Sequence, residues 1–214
     1  MTLWLIMRGT GLVAMLLLTG TVILGIVSTA PHHGVTWPRW LSQAVHRDVS
    51  LLAVSLVAAH VATAVVDSHA GIDLLDVVLP FRTDFRPTWL GLGTLSVDLL
   101  LAVLLSSTVR LRLGGRAWRR VHWLAYAAWP LALVHGLGSG TDVRQPLVVA
   151  AAVACTVGVL LVLCWRATVD ATPMRIASLV ILLALTGAVA GWAVQGPLAP
   201  GWSRRAMPVN AGSP

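Results

Sequence analysis

The 214-residue chain contains no lysine and no glutamate, so 15 arginines and eight aspartates carry all of its formal side-chain charge. That one-sided usage reads as coding bias, and no function is drawn from it. Charged residues make up 11% of the chain against 57% hydrophobic, and mean hydropathy is +0.83. Such scarcity of polar surface excludes a water-soluble globular domain. Only two cysteines are present, Cys155 and Cys164, nine residues apart on one expected helix and facing opposite ways, which excludes a mutual disulfide. The chain lacks paired carboxylates, a nucleophile constellation and a phosphate-binding loop. A net charge of +7 and a pI near 11.4 would suggest nucleic acid in a soluble protein. Here the arginines sit between apolar runs and read as topology signals, so no nucleic-acid partner is expected.

What the chain has in abundance is apolar runs of the roughly 20 residues needed to cross the hydrocarbon core of a bilayer. Their positions predict six spanning helices at about 9–29, 44–66, 88–109, 118–137, 146–165 and 175–195, separated by proline, glycine and charge. The expected fold class is therefore all-α, an integral membrane six-helix bundle forming one domain over residues 1–195. Residues 196–214, rich in proline and glycine, are expected to be a disordered tail. Arg8 followed by an apolar stretch and Ser28-Thr29-Ala30 imitates a signal peptide. The stretch exceeds the roughly 7–15 apolar residues of such signals, and Pro31 would follow the cleavage point, so a retained first helix is expected. Nine arginines follow helices one, three and five, against six on the other side, and five of the nine fall within residues 110–120. This predicts a multi-pass plasma-membrane protein with the 110–120 segment cytoplasmic and both termini outside.

Four of the seven histidines fall in two of these spans: His46 and His60 in the second, His122 and His135 in the fourth. Ionisable side chains at membrane depth are costly and face the bundle interior with a partner. The spacings of 14 and 13 residues correspond to rises of about 21 and 19.5 Å along a helix, so each helix offers one imidazole near each membrane face. With one span between them the two helices run parallel, which places His46 level with His122 and His60 level with His135. Two facing imidazoles can take both axial positions of a haem iron, and two such layers would form a transmembrane wire for electrons. Helical phase fits the first pair, about 40° apart, better than the second, about 140° apart; Pro130 is the expected site of the required distortion.

The patterns His46-x13-His60 and His122-x12-His135-Gly136, with Trp118, Arg119, Arg120, Trp123 and Tyr126 around the third histidine, resemble the ferric reductase-like transmembrane domain shared with NADPH oxidases. The resemblance covers roughly residues 9–165. It implies two bis-histidine b-type haems between helices two and four, with electrons moving from the His46/His122 haem on the cytoplasmic side to the His60/His135 haem outside. Oxidases of that group continue into a domain binding FAD and NAD(P)H, and no glycine-rich nucleotide loop stands here. The resemblance therefore implies a stand-alone bacterial form, an electron-transfer subunit rather than a complete enzyme. Its donor would be a separate flavoprotein or a quinone, and its acceptor lies outside. A single-haem subunit, as in a methionine sulfoxide reductase system, is the nearest alternative; a metal or haem transporter and a non-redox scaffold are others.

Arg47, Arg119 and Arg120 flank the inner histidines, where guanidinium forks would match haem propionates; positive-inside charges would look the same. Gly136 either lets a porphyrin approach the backbone or is a helix-end glycine. Asp98, the only acid deep in the third span, has Thr94 and Ser96 nearby to satisfy a protonated carboxyl, or else bonds a ligand imidazole. His32, His33 and His69 fall in loops, as solvated side chains or an accessory metal site. Trp37, Trp40, Trp89, Trp118, Trp165 and Trp192 are expected at the membrane interface, and Trp123 and Trp129 beside a haem.

Overall fold

A computed structural model describes residues 2–29, 38–67, 71–169 and 173–202. His32, His33, Trp37, His69 and the tail from residue 203 lie outside the described residues. The described residues form eight helices and no strand: α1 (Thr2–Ser28), α2 (Arg39–Val66), α3 (Pro87–Thr108), α4 (Arg110–Leu113), α5 (Gly115–His122), α6 (Leu124–Ser139), α7 (Pro146–Val169) and α8 (Pro173–Gln195). Among them, α1, α2, α3 and α7 are each long and apolar enough to cross a membrane, and α8 contributes a shorter apolar stretch, Leu182–Gln195. Large apolar side chains lie exposed along the outside of the bundle, including Leu52, Leu101, Leu105, Leu161 and Leu185. An apolar exterior on helices that satisfy their own backbone is what hydrocarbon solvent demands. The chain is a multi-pass membrane protein.

The first helix begins at Thr2, well before residue 9. The fourth expected span is divided: α5 ends at His122, Trp123 stands between, and α6 carries Pro130 within it. At the break the Tyr126 amide bonds the Trp123 carbonyl at 3.0 Å, a three-residue closure of 3₁₀ type that over-rotates the chain locally. A distortion between His122 and His135 is found at Trp123, directly after the third histidine, and Pro130 lies within α6.

Helix α1 packs chiefly on α2 and α3 chiefly on α6, with α1 also meeting α6 and α7. Polar cross-links hold these contacts: Ser96, 2% exposed, donates to the Ala128 carbonyl at 2.9 Å, and the Trp129 indole donates to the Thr19 hydroxyl at 2.9 Å. Hydroxyls along the spans, such as Thr10, Ser50 and Ser55, return to carbonyls of their own helix. Past α8 the chain turns, and Trp202 stacks with Trp89 and Trp192 at centroid distances of 5.6 and 6.2 Å while donating to the Gly138 carbonyl at 3.1 Å. The segment expected to be disordered from Gly196 is thus packed at least as far as Trp202. Trp89 and Trp192 form an aromatic cluster with it, 5.0 Å apart, in place of separate interfacial anchors.

Arg86 closes one end of this arrangement. It is 1% exposed, precedes α3 with a left-handed backbone (φ 49°), and donates to the carbonyls of Gly138 (3.3 Å) and Ser139 (2.8 Å) at the end of α6. Burial lowers its pKa, but guanidinium starts so far above neutrality that it remains a cation capping the negative end of a helix. Replacing Arg86 by Met leaves two buried carbonyls without their charged donor. The expected loss is about 3 kcal/mol of stability, read as a lowered melting temperature in detergent; an unchanged melt would show that the cap is dispensable.

Candidate functional site

All four intramembrane histidines point into the bundle as two facing pairs. His46 and His122 have ring centroids 6.2 Å apart and interplanar angle 63°; His60 and His135 are 6.3 Å apart at 80°. The depth matching expected from helix spacing is the pairing found. A metal ion held from opposite sides by two imidazole nitrogens at about 2.0–2.1 Å separates the ring centres by about 6 Å, so each pair has the spacing of a two-coordinate metal grip. No cluster of three His, Cys, Asp or Glu suited to a metal exists among the described residues. Each pair therefore supplies two donors and no more.

Three of the rings are held by a backbone carbonyl on the neighbouring helix. His46 Nδ1 bonds the Thr21 carbonyl (3.1 Å), His60 Nδ1 the Met7 carbonyl (2.8 Å) and His135 Nδ1 the Trp89 carbonyl (2.8 Å). A carbonyl oxygen can only accept, so Nδ1 carries the proton in each case and the lone pair is left on Nε2, the form a metal needs. Four residues after each carbonyl stands a glycine: Gly25, Gly11 and Gly93. An added Cβ would lie 2.5 Å from His135 Nδ1 at Gly93, 2.9 Å from His60 Nδ1 at Gly11 and 3.4 Å from His46 Cε1 at Gly25. At Gly11 and Gly93 the missing side chain is what lets the rings reach carbonyls already engaged in their own helix, whereas at Gly25 an added Cβ would come only into van der Waals contact with the His46 ring.

The fourth ring departs from this pattern. Fourteen residues after Trp89 and Gly93, as Thr21 and Gly25 follow Met7 and Gly11, come Val103 and Ser107. The Ser107 hydroxyl itself donates to the Val103 carbonyl at 2.7 Å and lies 3.3 Å from the Trp118 indole nitrogen, which donates to it. Among the described residues His122 Nδ1 is buried without a hydrogen-bond partner, and its ring packs against Trp118 (4.9 Å, 30°). Trp118, expected at the interface, is thus the indole against a site histidine. Trp123 is 66% exposed, and the Trp129 indole donates to the Thr19 hydroxyl.

A cavity of about 640 Å³ opens beside His60 and His135, lined also by Met7, Arg8, Gly93 and Asp142. Gly136 borders it, exposed, with nothing within 4 Å of an added Cβ. Arg47 is exposed and pairs with its neighbour Asp48 at 2.9 Å, while Arg119 and Arg120 are exposed on α5. Asp98 is half-buried; Thr94 bonds the Asp76 carbonyl and Ser96 the Ala128 carbonyl, so neither hydroxyl serves it as expected. Both cysteines are free, Cys155 buried.

The described residues form an all-helical membrane protein that opposes histidines in two layers. The particular family follows from comparison: residues 10–133 match the family described as ferric reductase like transmembrane component. The match covers more than half the chain, and the chain belongs to this family. It includes His46, His60 and His122 and stops just short of His135. Comparison with curated proteins and with solved structures finds no match.

The glycine cradles have a graded consequence. Gly93→Ala is expected to cost about 1–3 kcal/mol through overpacking against His135, Gly11→Ala somewhat less, and Gly20→Ala, where a Cβ meets nothing within 4 Å, to stay within about 0.5 kcal/mol. Thermal melts of the three variants in detergent check the order, and equal effects would refute it.

Proposed function

We propose that this chain carries electrons across the membrane through two b-type haems, one held by His46 with His122 and one by His60 with His135. The observation that carries the reading is the pair of imidazole couples 6.2 and 6.3 Å apart, each with two protein donors only. Two opposed nitrogens suit a group that brings its other metal donors with it, as a porphyrin does. When bound, haem supplies a one-electron iron couple; the chain supplies its setting. Thr21, Met7 and Trp89 keep the Nδ1 protons in place, the α1 and α3 glycines let the rings seat, and the apolar walls exclude water. Gly136 leaves room along the outer cavity, and Arg119 and Arg120, on the same short helix as His122, are available to carboxylates of the inner group. Asp98 is given no role.

The six-span arrangement over residues 1–195 is part of the proposal, with the α5–α6 unit and α8 completing the bundle. The arginine-rich α4–α5 segment faces the cytoplasm, which puts the His46/His122 pair on that side and both termini outside. Arg110, Arg112, Arg116, Arg119 and Arg120 are all exposed, as is Leu111 at 92%, a surface suited to an acidic flavoprotein; a quinone in the membrane is the other donor class. The function is that of an electron-transfer subunit delivering to an external acceptor. A second reading, one haem held by His60 and His135 alone, is favoured by two observations: the cavity lies beside that pair, and His122 Nδ1 is the ring nitrogen without a partner. A permeation path is disfavoured, because Ser50 and Ser55, the polar residues in the run from Val49 to Ala59, turn back onto their own helix.

Haem content and the dithionite-reduced minus oxidised spectrum of the purified protein test the reading. Two low-spin b-type haems per chain are expected, falling to one in His60→Ala or His135→Ala. One haem in the unaltered protein selects the second reading, and none after haem supplementation overturns both.

A further inference from the structure

The Val103 carbonyl on α3 has the place in the helix repeat that the Thr21, Met7 and Trp89 carbonyls have for the other three rings, yet two hydroxyls occupy it. Ser107 donates to it at 2.7 Å and Ser106 at 3.0 Å. A carbonyl has two lone pairs, and within a helix one of them takes the amide four residues on, so nothing is left for an imidazole. Trp118 fixes Ser107 in this role: its indole donates to the Ser107 hydroxyl at 3.3 Å while the ring packs on His122. The His122 Nδ1 is left buried, without a hydrogen-bond partner among the described residues. Its opposite number, His46, keeps the Thr21 carbonyl. This couple therefore has one anchored ring where the His60/His135 couple has two.

An acceptor on one ring N–H makes the other nitrogen of an imidazole a stronger donor, and a stronger donor favours the more positive state of a bound metal. Withholding the acceptor does the reverse. We propose that Ser107 is a positioning residue that makes the centre held by His46 and His122 easier to reduce, by denying His122 its backbone anchor. The inference rests on the two-haem reading above and assigns Ser107 its part in it. The serine biases the first electron toward the couple nearest the arginine-rich α4–α5 segment.

Spectroscopic midpoint potentials of the haem-loaded protein test this, the His46/His122 centre being assigned as the one retained in His60→Ala. Two forms that differ only at residue 107 are compared. One is Ser106→Ala/Trp118→Phe, which removes the competing donors and keeps an aromatic ring at residue 118; the other adds Ser107→Gly. Opening the carbonyl is expected to shift the centre toward its oxidised form on the order of tenfold, about 59 mV for one electron, while the His60/His135 centre holds still. The converse exchange uses Gly25, where an added Cβ meets the His46 ring at 3.4 Å, ordinary contact. Gly25→Ser sets a hydroxyl on the Thr21 carbonyl and shifts the same centre toward its reduced form; Gly25→Ala, without the hydroxyl, stays near the unaltered value. Solid-state NMR of the haem-free protein with nitrogen-labelled histidines is a separate readout. One further hydrogen-bonded ring N–H appears on adding Ser107→Gly, and one is lost in Gly25→Ser. A loaded Ser107→Gly form whose potential is unmoved, or moved toward the reduced form, overturns the proposal. Equal shifts in Gly25→Ser and Gly25→Ala, the mark of packing alone, do the same, and this pair decides if the Ser107→Gly form does not fold. Each of these results leaves the haem reading standing. An unaltered protein with no haem on His46 and His122 refutes the two-haem reading and this inference with it.

Discussion

The arrangement depends on a backbone carbonyl inside a helix accepting a second hydrogen bond. Such a carbonyl already takes the amide four residues on, and it has a second lone pair. What normally blocks access is the side chain of that same fourth residue, whose Cβ stands beside the oxygen. Glycine at Gly11 and Gly93 removes the obstruction, and in both cases an imidazole from a facing helix occupies the opening; Gly25 stands in the same relation to His46 with more room to spare. One small residue thereby sets the separation of two helices, the orientation of a ring and the nitrogen that carries its proton.

Helices α1 and α3 offer no ligand of their own, yet they determine what α2 and α6 can do. On α1 the carbonyl-and-glycine unit recurs at the same interval that separates His46 from His60, so one helix serves both layers. Helix α3 repeats the interval with Ser107 in the glycine position, and the serine takes the Val103 carbonyl for itself. The two layers are consequently unlike. The His60/His135 layer has both rings anchored and a cavity beside it, while the His46/His122 layer rests on a single anchored ring and on Trp118.

Much of this was legible in the amino-acid order. Apolar runs predict the helices, and equal depth pairs the right histidines, because both depend only on rise along an axis. The glycines were not legible: α1 contains Gly9, Gly11, Gly20 and Gly25, and nothing within the helix distinguishes the two facing histidines from the two facing open space. Arg8 read as a topology charge for the same reason, since its ion-pair partner Asp142 and the neighbouring Gly140 lie more than a hundred residues away. Phase arithmetic was right that the His122–His135 spacing demands a distortion. It pointed to Pro130 because proline is the conspicuous helix breaker, whereas the break at Trp123 carries no composition signal. Trp89, Trp118 and Trp192 were likewise indistinguishable from interfacial tryptophans until neighbouring chain came against them.

Helices α1 and α2 form one close pair, α3 and α6 another, and each histidine couple has one member on α2 and the other on the α5–α6 unit that packs on α3. Anything gripped by both members of a couple acts as a clasp between two hairpins that are otherwise joined by a few side-chain bonds and the contacts of α1. Binding to the closed form alone adds stability that grows with the logarithm of ligand concentration. Cofactor supply during growth would then govern how much of the protein accumulates in the membrane, independently of its transcription.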